Sequence, residues 1–125
     1  MTERDENALE RFVWSYIDSV GLLDILLLLR SNETKHWTPQ KVAIELRSQV
    51  ESTKGRLEQL RTSGLVRGEP DGYVYQPDSE EKRALVTALA EAYRQRRVSL
   101  ITLIFERPRD SLREFADAFK IRKDP

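Results

Sequence analysis

The chain has 125 residues, of which 39% are hydrophobic and 34% charged, and its formal net charge at pH 7 is zero. This length predicts one domain with its own hydrophobic core, and the charge balance excludes indiscriminate attraction to nucleic acid. The sequence contains no cysteine, which excludes disulfides and thiolate metal sites, so we expect a cytoplasmic protein.

The first two predicted helices carry most of the apolar residues. Residues 1–20 are predicted to form an N-terminal helix, and Gly21 marks a kink or the end of that helix. Its apolar positions recur at helical spacing: Leu9, Phe12, Val13, Tyr16, Ile17 and Val20. The next segment, LLDILLLLR, is apolar on nearly all sides, as expected of a central helix. It is shorter than the roughly 20 residues of a membrane span, so we expect no membrane association.

Two further helices follow a polar loop. Thr38 and Pro39 are a favourable helix start, because Thr caps free N–H groups and Pro fits the first helical position. The segment from Ser48 to Glu51 is typical of a capping box and predicts the start of a second helix. Gly64 closes that helix, at a position where a left-handed residue is favoured.

A hairpin and a long helix complete the chain. Short strands, Leu65-Val66-Arg67 and Tyr73 to Gln76, flank the turn Pro70-Asp71-Gly72. Asp78 or Ser79 then caps a helix predicted to run to Arg107, and a last helix is predicted from Ser111.

This order of elements predicts a mainly α protein with a small β-hairpin wing, that is, a winged helix-turn-helix with N- and C-terminal helical extensions. We expect a single domain over residues 1–125. It consists of the N-terminal helix at 1–20, the winged helix-turn-helix core at 22–77, and C-terminal dimerisation helices at 78–125.

The stretch LEQLRTSGLVRGEPDGYVYQP resembles the recognition helix and wing of bacterial winged-helix transcriptional regulators of the MarR-like and PadR-like superfamily. The matching positions are Leu57, Leu60, Gly64, Leu65 and Val66, preceded by Val42, Ala43 and Leu46. At the turn those families usually place a Gly and a buried Ile, where this chain has Arg47 and Ser48. The resemblance implies a homodimeric regulator of transcription that binds double-stranded DNA.

A regulator of this kind would insert the helix near residues 48–62 into the major groove. Arg, Lys and Gln suit base edges, whereas basic and hydroxyl groups placed away from the bases suit phosphates. The candidates for base contacts are Ser52, Lys54, Arg56 and Gln59, and those for phosphate contacts are Thr38, Lys41, Arg61 and Arg67.

An apolar stripe on the terminal helices predicts self-association, although packing within one chain would use the same side chains. The candidate dimerisation residues are Phe12, Tyr16, Leu85, Leu89, Tyr93, Leu100, Leu103 and Ile104. The aromatic residues Trp14, Tyr16, Trp37 and Tyr93 are either plain core or the lining of an effector pocket.

The alternative function is a winged-helix protein-interaction module or adaptor without DNA binding. It is favoured by the zero net charge, by Glu51 at the start of the recognition helix, and by the acidic wing tip of Glu69 and Asp71. We expect no enzyme, cofactor or metal site, because His36 is the single histidine and no catalytic or metal-ligand spacing is present.

Overall fold

A computed structural model of the chain describes residues 3–106, with side chains described from residue 7. Within this range it is mainly helical, with one small antiparallel sheet of two strands. The elements in chain order are α1 (Glu3–Tyr16), α2 (Val20–Ser31), α3 (Pro39–Leu46), α4 (Val50–Thr62), β1 (Val66–Glu69), β2 (Gly72–Tyr75), α5 (Glu80–Gln95) and α6 (Arg97–Phe105). The predicted mainly α composition with a hairpin is confirmed.

The predicted N-terminal helix over residues 1–20 is wrong at its C-terminal end. The helix ends at Tyr16, and α2 begins at Val20 because the Ser19 side chain accepts a hydrogen bond from the backbone N–H of Leu22. Gly21 therefore lies inside α2 and does not end a helix. Within residues 3–106, no single helix is both long and apolar enough to cross a bilayer; α1 from Asn7 and α2 meet these criteria only as a pair bent by 106°.

Helix α2 is the centre of the core, as its all-round apolar sequence predicted. Five of its side chains are at most 1% exposed: Leu22, Leu23, Ile25, Leu26 and Leu29. Helices α3 and α4 and strand β2 pack against it, whereas α1, α5 and α6 pack against one another. One continuous cluster of buried residues joins the two groups.

The turn between α3 and α4 consists of Arg47, Ser48 and Gln49. Thr38 caps α3 and Pro39 is its first residue, as predicted. The predicted capping box at Ser48 is wrong, because the residue before α4 is Gln49 and makes no side-chain cap. Instead the Ser48 and Thr53 hydroxyls lie 3.0 Å apart, and Thr53 also donates to the Gln49 carbonyl at 2.8 Å.

The two strands pair with Val66 opposite Tyr75 and Glu69 opposite Gly72, which leaves a two-residue loop at the tip. Trp37, in the loop before α3, adds an isolated bridge to the hairpin: its backbone N–H donates to Tyr73 O at 2.8 Å and its carbonyl accepts from Tyr73 N at 2.7 Å. Gly64 adopts a positive φ of 78° between α4 and β1, as predicted.

The long C-terminal helix predicted from Ser79 to Arg107 is wrong as a single element. Ser79 caps α5, as expected, but the helix breaks at Arg96, whose φ of −136° and ψ of 56° are not helical. A second helix, α6, then runs to Phe105. The helix predicted from Ser111, and Arg107 with it, lie outside the described residues.

Candidate nucleic-acid interface

Helix α4 has one buried face and one solvent-exposed face. Thr53, Leu57 and Leu60 are each 0% exposed and hold the helix on the core. The opposite face presents Ser52, Lys54 and Gly55 to solvent near the N-terminal end. A Cβ added to Gly55 would meet nothing within 4 Å, so this part of the helix is open to close approach.

The cations along α4 alternate with carboxylates. Lys54 lies 3.5 Å from Glu51, one helical turn earlier, and the Glu51 side chain is 88% exposed. Arg61 donates to both oxygens of Glu58 at 2.9–3.1 Å. The exposed surface therefore has mixed charge and is not a continuous positive face.

Glu58 also connects α4 to the hairpin. The Tyr73 hydroxyl donates to Glu58 Oε2 at 2.6 Å, so the carboxylate accepts from both Arg61 and Tyr73. The Arg61 hydrogen bonds, and then that of Tyr73, hold the pKa of Glu58 below its ordinary value, and Glu58 in turn raises the pKa of Arg61. Burial, and then the Glu58 carboxylate, raise the pKa of Tyr73.

Two predicted base contacts face the connection between α1 and α2. Gln59 donates from Nε2 to Asp18 Oδ2 at 2.9 Å. The Arg56 guanidinium lies across Gly21, at 2.9 Å from the position that a Cβ there would occupy. Both side chains are half-buried, Gln59 by its hydrogen bond to Asp18 and Arg56 against Gly21, which leaves Ser52 and Lys54 as the more accessible candidates on α4.

The predicted phosphate contacts outside α4 lie at α3 and on β1, the two elements next to α4 in the chain, and both elements contact it. Thr38 uses its hydroxyl to cap α3, accepting from Lys41 N at 3.1 Å, and Lys41 is exposed on that helix. Arg67, on β1, forms an ion pair with Glu69 on the same strand. Among the described residues, Lys41 and Arg47 are exposed cations of this region that make no ion pair. Arg47 was not among the DNA contacts predicted from the sequence.

The hairpin tip makes a hydrogen bond that the sequence did not predict. His36 Nδ1 lies 2.5 Å from Asp71 Oδ1, between the loop before α3 and the tip. This hydrogen bond lowers the pKa of Asp71. The Asp71 carboxylate at the tip is therefore hydrogen-bonded to His36, 35 residues earlier in the chain, and no local sequence signal indicates this contact.

The predicted dimerisation residues fall into two groups. Phe12, Leu89, Leu100 and Ile104 are at most 4% exposed in the single chain, so intramolecular packing already uses them. The remaining four, Tyr16, Leu85, Tyr93 and Leu103, are half-buried at the edge of that core. The prediction of a dimer stays a prediction, but only the second group offers accessible area.

The four aromatic residues considered for an effector pocket are held by different elements. Trp14 donates from Nε1 to Leu103 O at 3.0 Å, and the Tyr93 hydroxyl donates to Asp24 at 3.2 Å. Trp37 lies at the hairpin. Among the described residues, no group of three or more His, Cys, Asp or Glu side chains is arranged to hold a metal ion.

Comparison of the chain with protein-family models, with curated proteins and with solved structures found no match.

Proposed function

We propose that this chain is a winged helix-turn-helix protein that binds double-stranded DNA as a cytoplasmic transcriptional regulator, and that it is not an enzyme. The proposal depends on one observation: the N-terminal half of α4 has an exposed face, and α4 follows α3 and precedes the hairpin in the chain. Ser52 and Lys54 would meet base edges in the major groove, while Thr38, Lys41 and Arg67 would contact the phosphates on either side.

The arrangement of elements supports this assignment. A three-residue turn joins α3 to α4, and a two-stranded hairpin directly follows α4. An isolated bridge between Trp37 and Tyr73 ties the loop before α3 to this hairpin. Helix, turn, helix and wing in this order is the arrangement in which a second helix enters the major groove.

The mixed charge of α4 is compatible with DNA binding because its ion pairs are weak. Lys54–Glu51 and Arg61–Glu58 have side chains that are 46–88% exposed, and exposed pairs contribute only about 0–1 kcal/mol. A phosphate can therefore displace the carboxylate. The region from residue 38 to 76 has a net charge of only +1, so we expect modest affinity that falls as salt increases.

The experiment is fluorescence anisotropy of the full chain with labelled random and upstream-region duplexes at two salt concentrations. Lys54→Ala should lower affinity by about 5- to 150-fold, equivalent to about 1–3 kcal/mol, if Lys54 reads a base. Lys41→Ala should lower it for all sequences and reduce the salt dependence. Arg94→Ala is the matched control, because Arg94 forms the same kind of exposed i,i+3 pair with Glu91 on α5.

The second candidate function is docking of a protein partner on the same face. It is favoured by Ile44, which is 79% exposed on α3, and by the carboxylates that interrupt the positive charge of α4. Absence of duplex binding at micromolar protein and low salt would contradict the DNA proposal for this chain alone. Equal loss of affinity in the Arg94→Ala control would also contradict it.

A further inference from the structure

The outer face of α6 is an exposed apolar ridge. Val98 and Phe105 are each 78% exposed, and the half-buried Ile101 lies between them. Their i, i+3, i+7 spacing places the three side chains on one side of the helix. On the other side, Leu100 and Ile104 are 3% exposed and belong to the core. A helix that is apolar on both sides is normally covered on both.

An apolar groove lies on the same helical group, between α1 and α5. Its volume is about 460 Å³, and its lining includes Ala8, Leu9, Leu85, Ala88 and Ala92. A smaller cavity of about 180 Å³ shares Leu9 and Ala92 with it and extends to Leu100 and Leu103 of α6. The groove thus runs along α5 toward α6, and small alanine side chains form part of its floor.

Exposed charges of opposite sign lie in the groove and at the end of the ridge, and the groove also contains Glu91, which forms an ion pair with Arg94. Arg96 lines both cavities and is exposed. Glu106 directly follows Phe105 at the end of the ridge and is also exposed. Neither side chain forms an ion pair with another residue in the described part of the chain, so each is available to a residue of the other sign.

We propose that two copies of this chain associate, with the α6 ridge of each copy in the α1–α5 groove of the other and Glu106 near Arg96 of the second copy. Such a pairing is reciprocal and closes on itself, as a two-fold interface requires. Of the predicted dimerisation residues, this interface includes Leu85. The buried ones do not take part, and Val98 and Phe105 take their place. A dimer would present two α4 helices and so extends the proposed function. The association itself does not require DNA and can be tested in its absence.

The test is sedimentation equilibrium of the full chain without DNA, in which a dimer has twice the 14.6 kDa mass of one chain. Phe105→Asp on the ridge and Ala88→Arg in the groove should each raise the dissociation constant by at least about tenfold, equivalent to about 1.4 kcal/mol. Ile44→Asp is the matched control, because Ile44 is equally exposed at 79% but lies on α3. Circular dichroism establishes that each variant is folded.

A charge exchange makes the test independent of any folding defect. Arg96→Glu and Glu106→Arg should each weaken the dimer, and the double variant should restore it. A wild-type chain that stays monomeric at micromolar concentration would overturn the proposal. So would a dimer that Phe105→Asp disrupts but Ala88→Arg leaves intact, since the ridge would then not occupy the groove. DNA binding by a monomer would support the proposed function and contradict the dimer.

Discussion

At the scale of single residues, Gly72 is the position where the hairpin depends most on glycine. Its φ is 141°, and a Cβ added there would lie 2.8 Å from the Trp37 carbonyl oxygen. We expect Gly72→Ala to lower the free energy of unfolding by about 1–3 kcal/mol, because the strained conformation and the backbone contact both oppose the side chain. Urea unfolding followed by circular dichroism measures this change.

Gly55→Ala is the opposite case and serves as the control. Gly55 lies inside α4 with open space around its Cα, so alanine meets no obstacle. The variant should gain about 0.5–1 kcal/mol of stability through helix propensity. If both substitutions changed stability equally, the special conformation at Gly72 would not be the cause.

Glu58 should make stability depend on pH in the acidic range. Its pKa is below the ordinary 4.5 in the folded chain because Arg61 and Tyr73 donate to the carboxylate. The contribution is therefore complete above the unfolded pKa and is lost as pH falls through the folded pKa. In Glu58→Gln, unfolding free energies measured from about pH 6 to about pH 3 should fall less steeply. The cost at neutral pH should stay below about 1 kcal/mol, since the side chain is half exposed.

Tyr73→Phe separates the two donors to Glu58. It removes the 2.6 Å hydrogen bond from the hydroxyl but keeps the Arg61 pair. Its pH dependence should lie between those of the wild type and Glu58→Gln. A variant with the full wild-type pH dependence would mean that Arg61 alone lowers the pKa.

At the scale of secondary structure, two serines with similar sequence signals have different roles. Ser79 caps α5 by accepting from Lys82 N at 3.1 Å, so Ser79→Ala should cost about 1 kcal/mol. Ser48 caps nothing, and Thr53 would keep its hydrogen bond to Gln49 O in Ser48→Ala. We expect a change within about 0.5 kcal/mol for Ser48→Ala. Thermal unfolding of both variants tests the difference, and equal losses would contradict it.

Helix interiors were predictable from the sequence, and helix ends less so. The spacing of apolar residues identified the interior of α1, and the all-round apolar sequence identified α2, because both helices bury these side chains in the core. The end of α1 at Tyr16 has no Gly or Pro beside it, and the next cap, Ser19, belongs to α2. The break at Arg96 has no Gly or Pro to signal it. Arg47 likewise adopts a left-handed conformation, with φ of 54° and ψ of 48°, where glycine would be expected.

The candidate site was predictable as a surface but not as a set of contacts. Helical spacing places Lys54 on the exposed side of α4, and the i,i+3 spacing of Glu58 and Arg61 indicates their pair. The spacing does not show that Arg56 and Gln59 turn toward the connection between α1 and α2. Asp18, between the two helices, and Gly21, in the first turn of α2, both lie beside α4.

At the scale of the whole molecule, the single buried cluster predicts cooperative unfolding of the described elements. Leu26 is 0% exposed on the central helix, so Leu26→Ala should cost about 2–5 kcal/mol. The chain has two tryptophans, Trp14 in α1 and Trp37 beside the hairpin. Fluorescence and circular dichroism should therefore report one shared transition in urea. Two separated transitions would show that the helical groups unfold independently.

The paired hydrogen bonds between Trp37 and Tyr73 also set how the hairpin can open. Each amide is protected only while the other residue is in place, so both should exchange with deuterium through the same opening event. Because Trp37 directly precedes the cap of α3, that event also releases the start of the helix. The loop, the hairpin and the first turn of α3 would then exchange as one unit. On timescales shorter than that opening, the angle between the hairpin and α3 would stay constant.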